Sequence, residues 1–159
     1  LLSVFGAAAG ENDAKYTGAK QKFEALQARL KKEDKDLYEA VIAETQAPPN
    51  GYAGGDKKKL LQMTVEGFAK TFPGQKILAK GVNSEKWERK TEWRHNTGGD
   101  RYKVDSSRVQ VWIITAKNDR VGKILYSSVS KNHMKGDEML FYGFSKDAKG
   151  WELLLSNVK

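Results

Sequence analysis

His95 and His133 are the only imidazoles in a chain of 159 residues that contains no cysteine. General acid–base chemistry needs an imidazole or carboxylate with a tuned pKa in a dry site. Two residues suit that work by type and position. His95 falls on what reads as the aromatic face of a strand, and Asp105 falls at a polar break in the strand that follows. Each also has a plain structural role to fill, because His95 adjoins a Gly-rich turn and Asp105 suits a β-bulge. Neither histidine has a second one nearby or carboxylates at ligand spacing, so no metal or other cofactor is expected. The missing cysteines exclude disulfides, thiol catalysis and Cys–zinc sites. Gly143-Phe144-Ser145 lacks the pattern of a nucleophile elbow.

Two further groups could bind rather than react. Lys57, Lys58 and Lys59 follow the Gly-rich stretch 51–55 at the start of a helix, where anions are attracted. P-loop spacing is absent, since Asp56 stands five positions after Gly51 and no Lys-Ser/Thr pair follows. A surface anion site or a solvated lysine cluster are the two readings. Trp87, Trp93, Trp112, Tyr126 and Phe141 all fall on expected strands and could form a ligand or partner surface. Their ordinary use is to fill a core. Aromatics interleaved with Lys and Arg can also stack on bases, but no RRM, KH or OB signature accompanies them, which argues against nucleic acid.

The elements that must position these residues can be read from periodicity. Phe23, Leu26 and Leu30, then Leu37, Tyr38, Val41 and Ile42, recur at helical spacing over residues 13 to 46 and predict a core-facing stripe. Asp36 followed by Glu39 resembles a capping box, so a second helix is expected to start there. Two prolines and three glycines make 47–55 a loop. Asp56 is placed to cap a helix over 57–72 with Leu61, Val65, Phe68 and Phe72 buried.

Beyond Gly74 the period changes to two. Residues 77–79 read as a short strand. Trp87, Arg89, Thr91, Trp93 and His95 alternate with charged residues, as in a half-buried strand. Arg101 to Lys117 is a long strand, with a bulge expected at 105–107. Its second half, Val109 to Ala116, is apolar on both faces and so belongs in the middle of a sheet with a layer on each side. Strands are expected over 123–133, 139–144 and 151–155, the last two joined as a hairpin through 146–150.

Helices followed by meandering strands predict an α+β fold: N-terminal helices packed on a curved, cone-like antiparallel sheet of four to five strands. Phe23 to Ile42 as paired helices, and Lys146 to Leu155 as a terminal hairpin ending in a Trp strand, resemble the NTF2-like (nuclear transport factor 2-like) superfamily over most of residues 13–158. A cystatin-like helix-on-sheet domain is the next closest pattern. The resemblance implies a cone whose mouth forms a pocket, in a superfamily of isomerases, dehydratases and non-catalytic binders. Its catalytic members use a buried Asp–His or Asp–Tyr arrangement, for which His95 and Asp105 are the available residues.

A hydrophobic share of 39% and a charged share of 30% fit one globular domain over 13–159. No apolar run reaches the roughly 20 residues of a membrane-spanning helix. The net charge of +8 is spread among acids rather than clustered. Residues 1–12 form a separate segment. Its apolar stretch followed by Ala7, Ala8 and Ala9 looks like the end of a signal peptide, which would make the protein exported, periplasmic or secreted, with a cytoplasmic location as the alternative.

Three functions follow in rank. The first is a non-enzymatic binding or assembly domain that meets a partner protein or small ligand through its sheet, or a second copy through the same face. The second is an acid–base enzyme of the cone, and the third a basic nucleic-acid-binding protein.

Overall fold

The computed structural model describes residues 14–147 and 150–158. The expected signal remnant lies outside the described residues. The chain divides into two compact units between Val41 and Ile42.

The first unit is occupied by helix α1, Ala14–Glu44, which is continuous and runs on into the second unit. Its Ala, Lys, Glu, Gln and Leu content favours helix, and Pro48 and Pro49 forbid extension past the following loop. Asp36 does not start a new helix. Of the apolar stripe only Ile42 is core-facing: it is buried, whereas Leu26, Leu30 and Leu37 are 53%, 51% and 65% exposed, and Phe23, Tyr38 and Val41 are also exposed. Helical periodicity shows that one face is distinct, but not what covers it.

The second unit is α+β. Helix α2, Lys57–Thr71, precedes six antiparallel strands, one or two more than expected, in a sheet that is curled but not closed. They are β1 Ile77–Val82, β2 Glu88–His95, β3 Arg101–Ala116, β4 Val121–Asn132, β5 Glu138–Phe141 and β6 Trp151–Leu154. The long strands β3 and β4 pair from Ser106↔Asn132 to Ala116↔Gly122. Their outer edges are each shared by two short strands. On β3, β2 covers 101–108 and β1 covers 111–115. On β4, β5 covers 129–132 and β6 covers 121–124. The expected β5–β6 hairpin therefore does not form, because both strands pair with β4. The strand expected over 139–144 stops at Phe141, and Phe144 turns into the core.

Alternation along β3 sorts the core. Val109, Val111 and Ile113 face α2 and pack with Leu60, Val82, Val129, Phe68, Leu125 and Phe144. Phe68 and Phe144 meet edge to face at 5.7 Å. Trp112 and Ile114 face the other way, against Ile124 and Leu153, with Ala47, Ala79 and Val158 above them. Trp112 Nε1–H donates to Pro49 O at 3.1 Å, so the loop before α2 is the second cover. Asn157 Nδ2 clamps the end of that cover by donating to Ala43 O and Thr45 O, both at 2.9 Å. Each fully buried aliphatic or Phe side chain here contributes about 1.5–3 kcal/mol. From Val111 to Thr115 β3 is thus a central strand covered on both faces, while Gln110 and Ala116 at either end are exposed.

Three local expectations are corrected. α2 buries Leu60, Thr64 and Phe68, with Leu61, Val65 and Phe72 only half-buried, because the face centres one position earlier than the bulkiest residues suggest. Asp56 stands at the N-cap position, yet its side chain makes no cap bond. Asp105 to Ser107 keep continuous register with β2, and Ser106 and Ser107 keep it with β4, so there is no bulge there; the irregularity in β3's pairing is opposite β1, between Ile77 and Ala79.

Candidate functional site

At the first half of β3 the two faces of the sheet stop resembling the core and become polar, each in its own way. On the face turned toward α2, the alternation that places Val109 continues to Ser107 and Asp105, which are buried. β2 brings Arg89 and Thr91 opposite them. Arg89 grips Asp105 with two bonds, Nε to Oδ1 at 2.9 Å and Nη2 to Oδ2 at 2.7 Å, and Thr91 Oγ1 donates to Oδ1 at 3.2 Å. The Arg89 hydrogen bonds, partly opposed by burial, hold Asp105 down at about 2. The same bonds raise Arg89.

Asp56 organises the neighbouring cluster. It accepts from Tyr52 OH, from Trp87 Nε1 at 3.1 Å and from Lys131 Nζ at 2.7 Å, and Lys131 also lies 4.1 Å over the Trp87 ring. Burial alone would raise Asp56, but those three donors and the Lys131 charge outweigh it and lower its pKa. Burial, then the bond to Asp56, pushes Tyr52 up to about 12. The capping role expected of Asp56 is replaced by this tie between the start of α2, Trp87 just before β2, and β4.

Beside these, Ser107 Oγ lies 2.7 Å from His133 Nε2, and His133 Nδ1 lies 2.5 Å from Asp137 Oδ1. Asp137 reaches His133 from a tight turn in which both Gly136 and Asp137 have positive φ, 64° and 61°. The connectivity is that of a Ser–His–Asp relay, in which imidazole takes a proton from the hydroxyl. Ser107 is 4% exposed, however, and the two large grooves of the sheet open on the opposite face. The hydroxyl therefore holds the ring in place and ties β3 to the turn after β4. No one position announced this contact in the sequence; only the four-residue spacing of His133 and Asp137 hinted at it.

The opposite face is open. One groove of about 720 Å³ runs between Asn83–Lys86 and Tyr126–Ser128, and a second of about 730 Å³ lies over Val104, Ser106 and Arg108, walled by Lys90, Glu92, Arg94, Leu140 and Tyr142. Arg108 lines both. Its guanidinium stands 4.8 Å over the Tyr142 ring. The Ser130 and Arg108 contacts lower the Tyr142 pKa. Glu92 neutralises Lys90 at 2.6 Å and also pairs with Arg94. Glu88 is Arg108's cross-strand neighbour, yet no carboxylate among the described residues forms an ion pair with Arg108.

The residues singled out from sequence do not gather into one site. His95 is exposed at the end of β2, where it pairs with Arg101, four register positions from the Thr91↔Asp105 pair. Asp105 is ionised and locked to Arg89, so it is a poor base at neutral pH. Trp112 is core, Phe141 is half-buried against α2's clusters, and Trp87 is half-buried on Asp56. Trp93 is 56% exposed with Arg101 stacked 4.8 Å over it, and Tyr126 lines the first groove. Trp93, with its partner strand position on the first half of β3, does not enjoy the half-burial expected of β2, which is exposed nearly throughout because it pairs only beyond the reach of the main core. Lys58 and Lys59 are exposed, and Lys57 Nζ donates to Asn50 O at 3.3 Å. Arg108 was missed because a single arginine in a strand carries no pattern.

No group of three or more His, Asp or Glu that could hold a metal ion occurs among the described residues. No described helix is long and apolar enough to cross a membrane. Comparison of the chain with family models, curated proteins and solved structures found no match.

Proposed function

We propose that this is a non-enzymatic binding domain whose open sheet face takes an anionic ligand or the acidic segment of a partner protein, with Arg108 as the anchor. The observation that carries this reading is a guanidinium without an ion-pair partner among the described residues, stacked on Tyr142 and shared by two adjoining grooves. A planar guanidinium fixed on a ring presents two parallel N–H donors, the geometry that carboxylates and phosphates accept. Ser128, Ser130, Gln110 and Asn132 supply neutral hydrogen-bonding groups around it.

An acid–base enzyme fits less well, since Asp105 is held at about 2 and His95 stands apart from it. The NTF2-like reading remains an expectation of fold kinship. Of the residues that carried it, Phe23 to Ile42 form part of one helix, and β5 and β6 lie end to end along β4.

The test is an NMR titration of the ¹⁵N-labelled chain with inorganic phosphate and with a short Glu-rich peptide. Saturable shifts at Ser106–Gln110, Ser128–Ser130 and Tyr142, absent in Arg108→Ala, are the expected result. Shifts confined to Lys57–Lys59, or none from either probe, would overturn the assignment.

A further inference from the structure

We infer that α1 is a self-association element: two copies of this chain pair antiparallel through the exposed stripe, as a two-helix coiled coil. The stripe has heptad spacing. Phe23, Leu30 and Leu37 fall seven apart at one seam position, and Leu26, Glu33 and Ala40 fall seven apart at the other. Tyr16 and Ala19 continue both series one heptad earlier in sequence. Apolar residues at seven of these eight positions, with Glu33 the exception, are the sequence pattern of a coiled-coil seam. Ile42, the buried residue of the last turn, falls on the other side of the helix from Leu26 and Glu33, at about 100° per residue. The seam is thus distinct from the face that this turn buries.

Charge selects the partner and its direction. The positions flanking the seam are basic in the first half, Lys20 and Lys22, and acidic in the second, Asp34 and Asp36. Antiparallel pairing centred between Leu26 and Leu30 sets Lys20 against Asp34 and Lys22 against Asp36 of the second copy, and each pair forms twice. It layers Leu26 on Leu30 and places Glu33 beside Phe23. Parallel pairing would instead stack Glu33 on Glu33 inside the seam. Glu33 is also drawn to the rim by its own Arg29, at 2.8 Å, which frees the seam of its charge. The same ion pair screens the meeting of the two Arg29 side chains at the dimer axis. A helix with opposite charge on its two halves is complementary to itself reversed, so a second copy of this chain fits the stripe.

Sedimentation equilibrium on the full chain tests this. The parent is expected to dimerise, and Leu26→Glu with Leu30→Glu to be monomeric. Trp fluorescence serves as the folding control, because Trp87, Trp93, Trp112 and Trp151 all lie in the second unit. Lys20→Asp with Lys22→Asp should weaken the dimer at least tenfold, and adding Asp34→Lys with Asp36→Lys in the same chain should restore it. For direction, Phe23→Cys chains mixed with Glu33→Cys chains should crosslink to each other. Phe23→Cys chains alone should not, because antiparallel helices hold those positions about 15 Å apart along the axis. A monomeric parent, a dimer indifferent to the Leu26 and Leu30 changes, failure of the fourfold swap to restore pairing, or efficient Phe23→Cys self-crosslinking would each overturn the inference.

Discussion

The two halves of β3 are one strand with two different tasks. From Val109 to Thr115 every position but Gln110 is buried, α2 lies on one side and the 45–50 loop on the other, and polar side chains are few. From Val104 to Arg108 the alternation continues, but the layer on one side is missing, and Arg101 to Lys103 are exposed on both faces. The face toward α2 closes over ion pairs and hydrogen bonds, and the opposite face stays open around Arg108. The difference shows where a sheet acquires a usable surface: not by a change of backbone, since the register with β4 runs unbroken from Ser106 to Ala116, but where its second cover ends.

The largest effect should come from the core half. Trp112→Ala removes a nearly buried indole and its bond to Pro49 O, and should cost about 3–5 kcal/mol in chemical denaturation. A negligible loss would erase the distinction between the halves. On the polar half, Asp56→Ala strands the donors of Tyr52, Trp87 and Lys131 and should cost about 1–3 kcal/mol. Its signature is a lowered Tyr52 pKa in an ultraviolet titration, because both the hydrogen bond and the charge of Asp56 push that phenol up.

Asp105 supplies a pH test. Its folded pKa lies below its ordinary 3.8, at about 2, so the Arg89 pair stabilises the fold above about pH 4 and that contribution disappears as pH falls through about 2. Urea midpoints measured down this window should fall more gently in Arg89→Ala than in the parent. The smallest stability effect is expected at Arg108→Ala, within about 0.5 kcal/mol, although it removes the proposed anchor. Binding lost with stability kept would sharpen the contrast between the two halves.

The central strand was legible in the sequence because Val111 to Ile114 is apolar at consecutive positions, a pattern few other environments produce. So were the turns, where Gly and Pro act locally. The β5–β6 arrangement was not legible, since a short Gly-containing connection fits a hairpin as well as it fits two strands sharing β4's edge. The fate of α1's stripe was hidden for another reason: periodicity records a face without naming its partner. The Ser107–His133–Asp137 contact and the Arg108 groove depend on register between strands distant in sequence, and His95 and Asp105 stood out by residue type alone, before that register was known.

Native-state hydrogen exchange along β3 tests the division of the strand most directly. Amides from Val111 to Thr115 should exchange only through global unfolding, while Arg101 to Val104 and their partners on β2 exchange through smaller openings, as expected of a segment paired on one edge only and lacking a second cover. Equal protection along the whole strand would mean that its two halves form one cooperative core, and would contradict the account.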